Sequence, residues 1–275
     1  MSHPKFLKVI TVKLGGSTID SEEVLHQLAE DIGYLSEQQL TFVVVHGAGK
    51  EISREMESSG IRPVKIAGLR VTDNATMAVV ERVMNLVNDR ICSILQGHGL
   101  PAEKVLGVDG LLLCKKLTSV KDDENGIERE VDLGRVGFVE RVFPEILENL
   151  LNDGKNPVVA PYGCDVEGLS FNINADTAAG SIAGACSDEF ILLTDVDGVV
   201  ISTSGKPQIA KSLTVSEVKK LIEAGIIQGG MLPKVEACIH ALDSGVKVAR
   251  IVNGFADHPL RAAVLQAAFG TRIIV

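Results

Sequence analysis

Short apolar runs alternate with amphipathic segments from one end of the chain to the other. Strand candidates fall at 7–14, 41–46, 109–114, 157–161, 190–194, 247–252 and 271–275. Several are continuous and β-branched, as in Phe42-Val43-Val44-Val45, the pattern of strands covered on both faces. The segments between them have the helical period. After Asp20-Ser21, the residues Val24, Leu28, Ile32 and Leu35 recur at steps of three and four. Asp20 or Ser21 would cap this helix, and Glu22 and Glu23 suit its positive end. Asp73 stands in the same way before Met77, Val80, Met84, Val87, Ile91 and Ile94. Pro144, Asn174 and Thr214 lie near further helix starts, and Gly154 and Gly225 follow two helix ends. This order predicts an α/β fold, a three-layer sandwich around a largely parallel central sheet.

The stretch from Leu117 to Val139 breaks the rhythm, with a charged run at Lys121–Glu124 and an Asn125-Gly126 pair. It reads as a β-hairpin projecting over one face of the first half. A division near Gly163 would give two lobes, 1–163 and 164–275, within one domain.

Composition narrows the function classes. With 275 residues, 45% of them hydrophobic, the chain can form one large domain or two lobes sharing a core. A net charge of −9 argues against broad nucleic-acid binding, which needs a basic surface, but not against one nucleotide in a local positive pocket. The five cysteines, at 92, 114, 164, 186 and 238, form no CxxC pair, so neither a zinc knuckle nor a disulfide framework is suggested. Reduced thiols, the lack of a signal-like start and the lack of a run of ~18 apolar residues together predict a cytoplasmic protein without membrane contact.

Polar and glycine-rich stretches cluster at the ends of the expected strands, where open α/β sheets collect ligands. Val12-Lys13-Leu14-Gly15-Gly16-Ser17 puts a cation beside backbone that a ligand can approach closely, or else is a tight turn with a surface lysine. His46-Gly47-Ala48-Gly49-Lys50 exposes N–H groups at a helix start, an anion site, or is a glycine turn with a core histidine. In Phe171-Asn172-Ile173-Asn174-Ala175-Asp176-Thr177 the two amides share one side of an extended segment, and Asp176 falls in a first helical turn, where an acid is also ordinary. The Asp195-Val196-Asp197-Gly198-Val199 loop suits a ribose or base. Gly229 and Gly230 open a later helix with Lys234 in its first turns, unfavourable for the helix dipole unless an anion is near. Gly68-Leu69-Arg70-Val71-Thr72-Asp73 supplies an arginine able to pair with a carboxylate, or to form a surface ion pair. Three cations, several backbone anion sites, two amides and one acid, with no obvious nucleophile, suit phosphoryl transfer to a carboxylate. Such an acceptor, with a pKa near ~4.3, is ionised at neutral pH and needs no general base. It needs positioning and the cancellation of anionic repulsion.

The ordered set KLGG, HGAG, GLRVTD, NINADTAAG, LLTDVDGV, GIIQGGMLPKV and terminal GTRI resembles the amino-acid kinase superfamily, and within it the N-acetylglutamate kinase branch. The resemblance implies that Lys13 and Lys234 stabilise the transferring phosphoryl group while Asp176 holds both lysines. It gives N–H groups of Gly15, Gly16, Gly47 and Gly49 to the phosphates and the incoming carboxylate. Arg70, Asn172 and Asn174, with Ala48 and Gly49, would bind the acylamino acid. Asp195, Val196, Asp197, Gly198, Val199 and Val200, with Gly229 and Gly230, would hold ATP. Mg²⁺ would travel with the nucleotide phosphates, with no protein metal site. Two positions depart from the family pattern: Ala48 replaces a glycine of HGGG, adding a methyl beside the substrate, and Val108 stands where many members have lysine. The few residues before the first strand imply an arginine-insensitive homodimer.

The favoured activity is phosphorylation of N-acetyl-L-glutamate in arginine biosynthesis. A kinase for a related acylamino acid, such as an aminoadipate derivative of lysine biosynthesis, differs by one methylene, which a pocket discriminates by only ~1–3 kcal/mol. A non-catalytic nucleotide-binding regulator would be expected to have lost a lysine or Asp176, and all three are present.

Overall fold

The computed structural model describes residues 8–124, 127–203 and 206–275. Its centre is an eight-stranded sheet. Across the sheet the strands run Ser212–Thr214, Thr271–Ile274, Val248–Asn253, Glu189–Thr194, Lys8–Leu14, Leu40–His46, Asn156–Ala160 and Ala102–Leu106. All neighbours pair in parallel except Val248–Asn253 with Thr271–Ile274.

Alternation along the central strands builds two cores. Ile10, Val12, Leu14, Phe42 and Val44 face one helical layer, made by Glu22–Ser36, Asn74–Gly97 and Pro259–Leu265. Val43, Val45, Phe190 and Leu192 face the other, which holds Ala175–Cys186, Leu232–Asp243 and Glu145–Asn152. Strands with apolar residues on both faces are therefore the middle of a three-layer sandwich. Lys13 is opposite Val45 and Leu192 in register, so the one charged residue of its strand's buried end points into the second layer.

Four helix caps agree with the sequence. Ser21 Oγ accepts from Val24 N at 3.3 Å, and Asp73 Oδ1 from Thr76 N at 2.7 Å. Asn174 caps Ala175–Cys186, and Thr214 forms a reciprocal capping box with Glu217. Gly154 and Gly225, at φ 75° and 68°, end helices in the left-handed region.

One strand assignment is corrected. The segment expected as a strand at 109–114 begins as a tight turn, Gly107–Leu111, with Gly110 at φ 91°. Only Leu112–Lys116 is extended, and it joins Val136–Val142, Ser170–Ile173 and Gly163–Cys164 in a small closed barrel rather than the main sheet. The main-sheet strand of this region is Ala102–Leu106, at the edge. The expected hairpin narrows to Val120–Glu124 paired with Ile127–Val131. Its Asn125-Gly126 turn lies outside the described residues. Among the described residues no helix is long and apolar enough to cross a membrane.

Candidate active site

Two helices of the second layer approach so closely that a Cβ on Gly180 would come 2.6 Å from the Ala237 carbonyl oxygen. Glycine at 180 therefore sets their spacing. One turn back along each helix, towards its N-terminal end, stand Asp176 and Lys234. Lys13 reaches the same point from the sheet. Asp176 Oδ1 lies 2.6 Å from Lys13 Nζ, and its Oδ2 accepts a hydrogen bond from Lys234 Nζ at 3.2 Å. Residues 58 and 163 positions apart from Asp176 in sequence thus meet on one carboxylate.

Burial shapes the charges. Asp176 is 7% exposed and Lys13 5%. Burial pushes the Asp176 carboxyl up, but the two ammonium groups together outweigh it and hold the acid below the usual carboxylate range. Burial drives Lys13 below the ordinary lysine range, against the pull of Asp176. Two positive charges thus share one negative charge, leaving a net positive spot at the foot of a cleft of about 680 Å³.

Gly15, Gly16, Gly47, Ala48 and Gly49 line that cleft. The N–H groups divide into two kinds, which corrects the sequence reading. Gly15 N donates to Leu193 O at 2.9 Å and Gly47 N to Leu14 O at 3.2 Å, so both are spent on the sheet. Their part is close approach: a Cβ on Gly15 would stand 3.2 Å from Leu193 O and 3.9 Å from Lys13 Nζ. Gly16 and Gly49 begin helices beside the cleft, where the first N–H groups have no intrahelical partner and are free for an anion. Ala48 stands in the wall of the cleft, 1% exposed, and belongs to the apolar core that also holds Ile52, Met56 and Met77. His46, behind this loop, is fully buried, and burial lowers its pKa to about 4, so it is a neutral core histidine.

Arg70 and Asn172 also line the cleft. Arg70 is buried, and among the described residues its guanidinium donates only to neutral acceptors: Gly49 O and Ser53 Oγ at 2.8 Å and Met56 Sδ at 3.1 Å. Asn172 Nδ2 donates to Thr72 Oγ1 at 3.2 Å, and Thr72 Oγ1 donates to Arg70 O at 2.8 Å. The fully buried Thr72 hydroxyl therefore ties the arginine strand to the asparagine strand. Asn174 also lines the cleft, but its Oδ1 accepts from the N–H groups of Asp176 and Thr177. That oxygen caps the helix and orients Asp176, which leaves only the Nδ2 group for a ligand.

A second hollow, about 440 Å³, adjoins the first through Asp195. Asp195, Val196, Asp197, Gly198, Val199 and Val200 line it, with Met231 and Asn253 among the residues opposite. Asp195 accepts from Ser17 Oγ and Thr194 Oγ1, and Asp197 accepts from Asn253 Nδ2 at 2.7 Å. Gly229 and Gly230 line neither hollow; they sit between Gln228 and Met231, which do line the second. Ser17, Ser53, Thr72 and Asn253 were not singled out from sequence. Ser17 and Thr72 stood inside quoted motifs, but Ser53 and Asn253 carry no local signal.

Comparison with known proteins identifies the family of the chain. A model of the amino acid kinase family matches residues 8–253. The acetylglutamate kinases of Methanocaldococcus jannaschii and Methanosphaera stadtmanae are each 42% identical, over 97% and 92% of this chain and 90% and 86% of their own. Among solved structures, an N-acetylglutamate synthase from Neisseria gonorrhoeae, complexed with coenzyme A and N-acetyl-glutamate, superposes with a TM-score of 0.79 at 24% identity. That likeness covers 98% of this chain and 60% of the synthase. A carbamate kinase from Giardia lamblia bound to AMP-PNP gives 0.67 at 17% identity, covering 97% and 98%. Both of these likenesses carry the fold alone. By its match to the family model and its identity to these relatives, the chain belongs to the amino acid kinase family.

Proposed function

We propose that the protein transfers the γ-phosphoryl group of ATP to the side-chain carboxylate of N-acetyl-L-glutamate, giving the acyl phosphate and ADP in arginine biosynthesis. The observation that carries this reading is the meeting of Lys13 and Lys234 on Asp176 at the foot of a cleft with two arms. Both reactants are anions, so the barrier is largely their repulsion, and a net positive spot where they meet lowers it. The carboxylate attacks in its ionised form, so no base is required. In this reading Lys13 and Lys234 neutralise the equatorial oxygens of the transferring group, and Asp176 holds the lysines without cancelling both charges.

ATP takes the second hollow, with its ribose and base against Asp195–Val200 and its phosphates directed to the N–H groups that follow Gly15 and Gly47. Mg²⁺ enters as part of the nucleotide complex. The acylamino acid takes the arm with Arg70, Asn172 and Asn174, where a buried guanidinium with neutral partners favours an anion. The halves 1–163 and 164–275 then divide the labour between acceptor and nucleotide, with Asn172 and Asn174 crossing over to the acceptor. A cytoplasmic homodimer insensitive to arginine belongs to the same reading, and sedimentation and activity measured with and without arginine test it.

The test is an ADP-release assay comparing N-acetyl-L-glutamate, its aminoadipate homologue and carbamate. The acetylglutamate reaction is expected to have the highest kcat/KM. A higher value for the homologue would move the protein to the longer substrate, and ADP release with neither would sink the assignment.

A further inference from the structure

An acceptor with two carboxylates poses a second electrostatic problem. One carboxylate reacts at the lysine pair, and the other must be neutralised elsewhere in the same cleft. Arg70 has been assigned that part. The structure sets a second cation beside it. The strands Lys65–Ile66 and Leu69–Arg70 form a two-residue antiparallel ladder in which Lys65 is directly opposite Arg70. The connection is Ala67-Gly68, at φ 49° and 78°, a turn with both central residues in the left-handed region. Turns of that kind fix the register of a short hairpin, because their twist matches that of the strands. Residues directly opposite in a ladder project from the same face with Cβ atoms about 5 Å apart. Lys65 must therefore share the face of Arg70, and both line the cleft.

Two like charges directly opposite one another are unfavourable in a ladder unless something neutralises them. Protein acids do not. Arg70 is held by Gly49 O, Ser53 Oγ and Met56 Sδ, and among the described residues no carboxylate stands within ion-pair distance of Lys65. Asp20 is taken by Arg54 and Asp176 by the two catalytic lysines, and Glu57, which also lines the cleft, forms no ion pair with Lys65 or Arg70 among the described residues. Nothing in the fold needs a lysine at 65, whose side chain is exposed. A ligand anion held between the two cations would account for the arrangement.

We infer that Lys65 is a specificity-determining residue, forming with Arg70 a two-cation clamp for the carboxylate of the acceptor that is not phosphorylated. This inference rests on the acceptor reading proposed above and deepens it. The clamp and the lysine pair line one cleft, so together they select an acceptor with two carboxylates. An acylated amine with a single carboxylate could meet the lysine pair but would leave the clamp empty.

The experiment uses the full-length protein, its Lys65→Met variant, which keeps the length of the stem, and its Lys65→Arg variant, which keeps the charge. Steady-state kinetics are measured with N-acetyl-L-glutamate and with 4-acetamidobutyrate, which lacks the second carboxylate. Binding of N-acetyl-L-glutamate is measured in parallel by calorimetry. For Lys65→Met, KM and Kd for acetylglutamate should rise about fivefold or more, with KM for ATP unchanged. Lys65→Arg should stay within about twofold of the parent. The weaker reaction with 4-acetamidobutyrate should be indifferent to either change. An unaltered Kd for acetylglutamate in Lys65→Met, or an equal loss with both compounds, would overturn the clamp. If the parent binds acetylglutamate through Lys65 but releases no ADP, the clamp stands and the kinase assignment falls.

Discussion

Lys13 and Lys234 divide one carboxylate between them, and neither charge is fully cancelled. Removing either ammonium group should therefore act on the transition state more than on binding. Lys234→Ala is expected to lower kcat on the order of 10²-fold, with the far-UV spectrum and melting temperature little changed. Turnover at the parent rate in a folded variant would reject the role. Because burial lowers the pKa of Lys13, its proton leaves at a lower pH than that of an ordinary lysine, whose value is 10.5. The charged form is the active one, so kcat should fall as pH rises, on a limb below the ordinary lysine range. Lys13→Arg, which stays charged, should lose that limb even if it is slow. On the acceptor side, Thr72→Val removes the hydroxyl that holds the Asn172 amide and the Arg70 carbonyl. KM for acetylglutamate should rise several-fold at nearly constant kcat and unchanged KM for ATP, and Thr72→Ser should restore it. A matching rise in KM for ATP would point to a general structural loss instead.

At the scale of elements, the site depends on how closely two helices pack. A methyl on Gly180 would press on the Ala237 carbonyl, a backbone atom that cannot swing aside. Gly180→Ala should cost about 1–3 kcal/mol of stability and lower kcat, since Asp176 and Lys234 lie on the displaced helices. Denaturant titration together with kcat checks both halves, and an unperturbed kcat would show that the pair tolerates the shift. Glycine at 180 looked like one more small residue in Ala175–Cys186, because only the partner helix reveals why it is needed. The same asymmetry runs through the fold. Continuous β-branched runs such as Val43–Val45, and caps such as Ser21 and Thr214, are local signals and were legible. Ala102–Leu106 was not, because an edge strand half-covered by neighbours can carry Glu103 and Lys104 and still pair. Gly107–Leu111 misled in the other direction, because the apolar run that follows Asp109-Gly110 hides a turn in which Gly110 takes a positive φ. Motif order pointed to the lysines, Asp176 and Arg70. Lys65 and Thr72 took their meaning from strand register and from a contact across 100 residues, neither of which a local pattern encodes.

For the whole molecule, the question is whether the proposed acceptor and nucleotide halves are separate folding units. The sheet says that they are one. Lys8–Leu14 pairs with Leu40–His46 on one side and with Glu189–Thr194 on the other, so a cut at residue 163 severs the sheet at its centre. The fragment 1–163 would expose one whole edge of Lys8–Leu14, a buried, apolar strand that no charged side chain protects over Val9–Val12. It would also lose the last helix, Pro259–Leu265, whose N-terminal groups are held by the helix Glu22–Ser36. Asp31, fully buried on Glu22–Ser36, accepts from Leu260 N at 3.1 Å, from Arg261 N at 3.0 Å and from His258 Nδ1 at 2.8 Å. In the fragment that carboxylate would lose these donors together with the helix that covers it, so a tie between the two ends of the chain would be gone. We therefore expect the intact chain to unfold in a single transition, seen alike by far-UV dichroism and by loss of acetylglutamate binding. Fragments 1–163 and 164–275, made separately, should show no cooperative melt. A sharp thermal transition in the isolated 1–163 fragment would mean that the division of labour in the cleft is also a division of the fold.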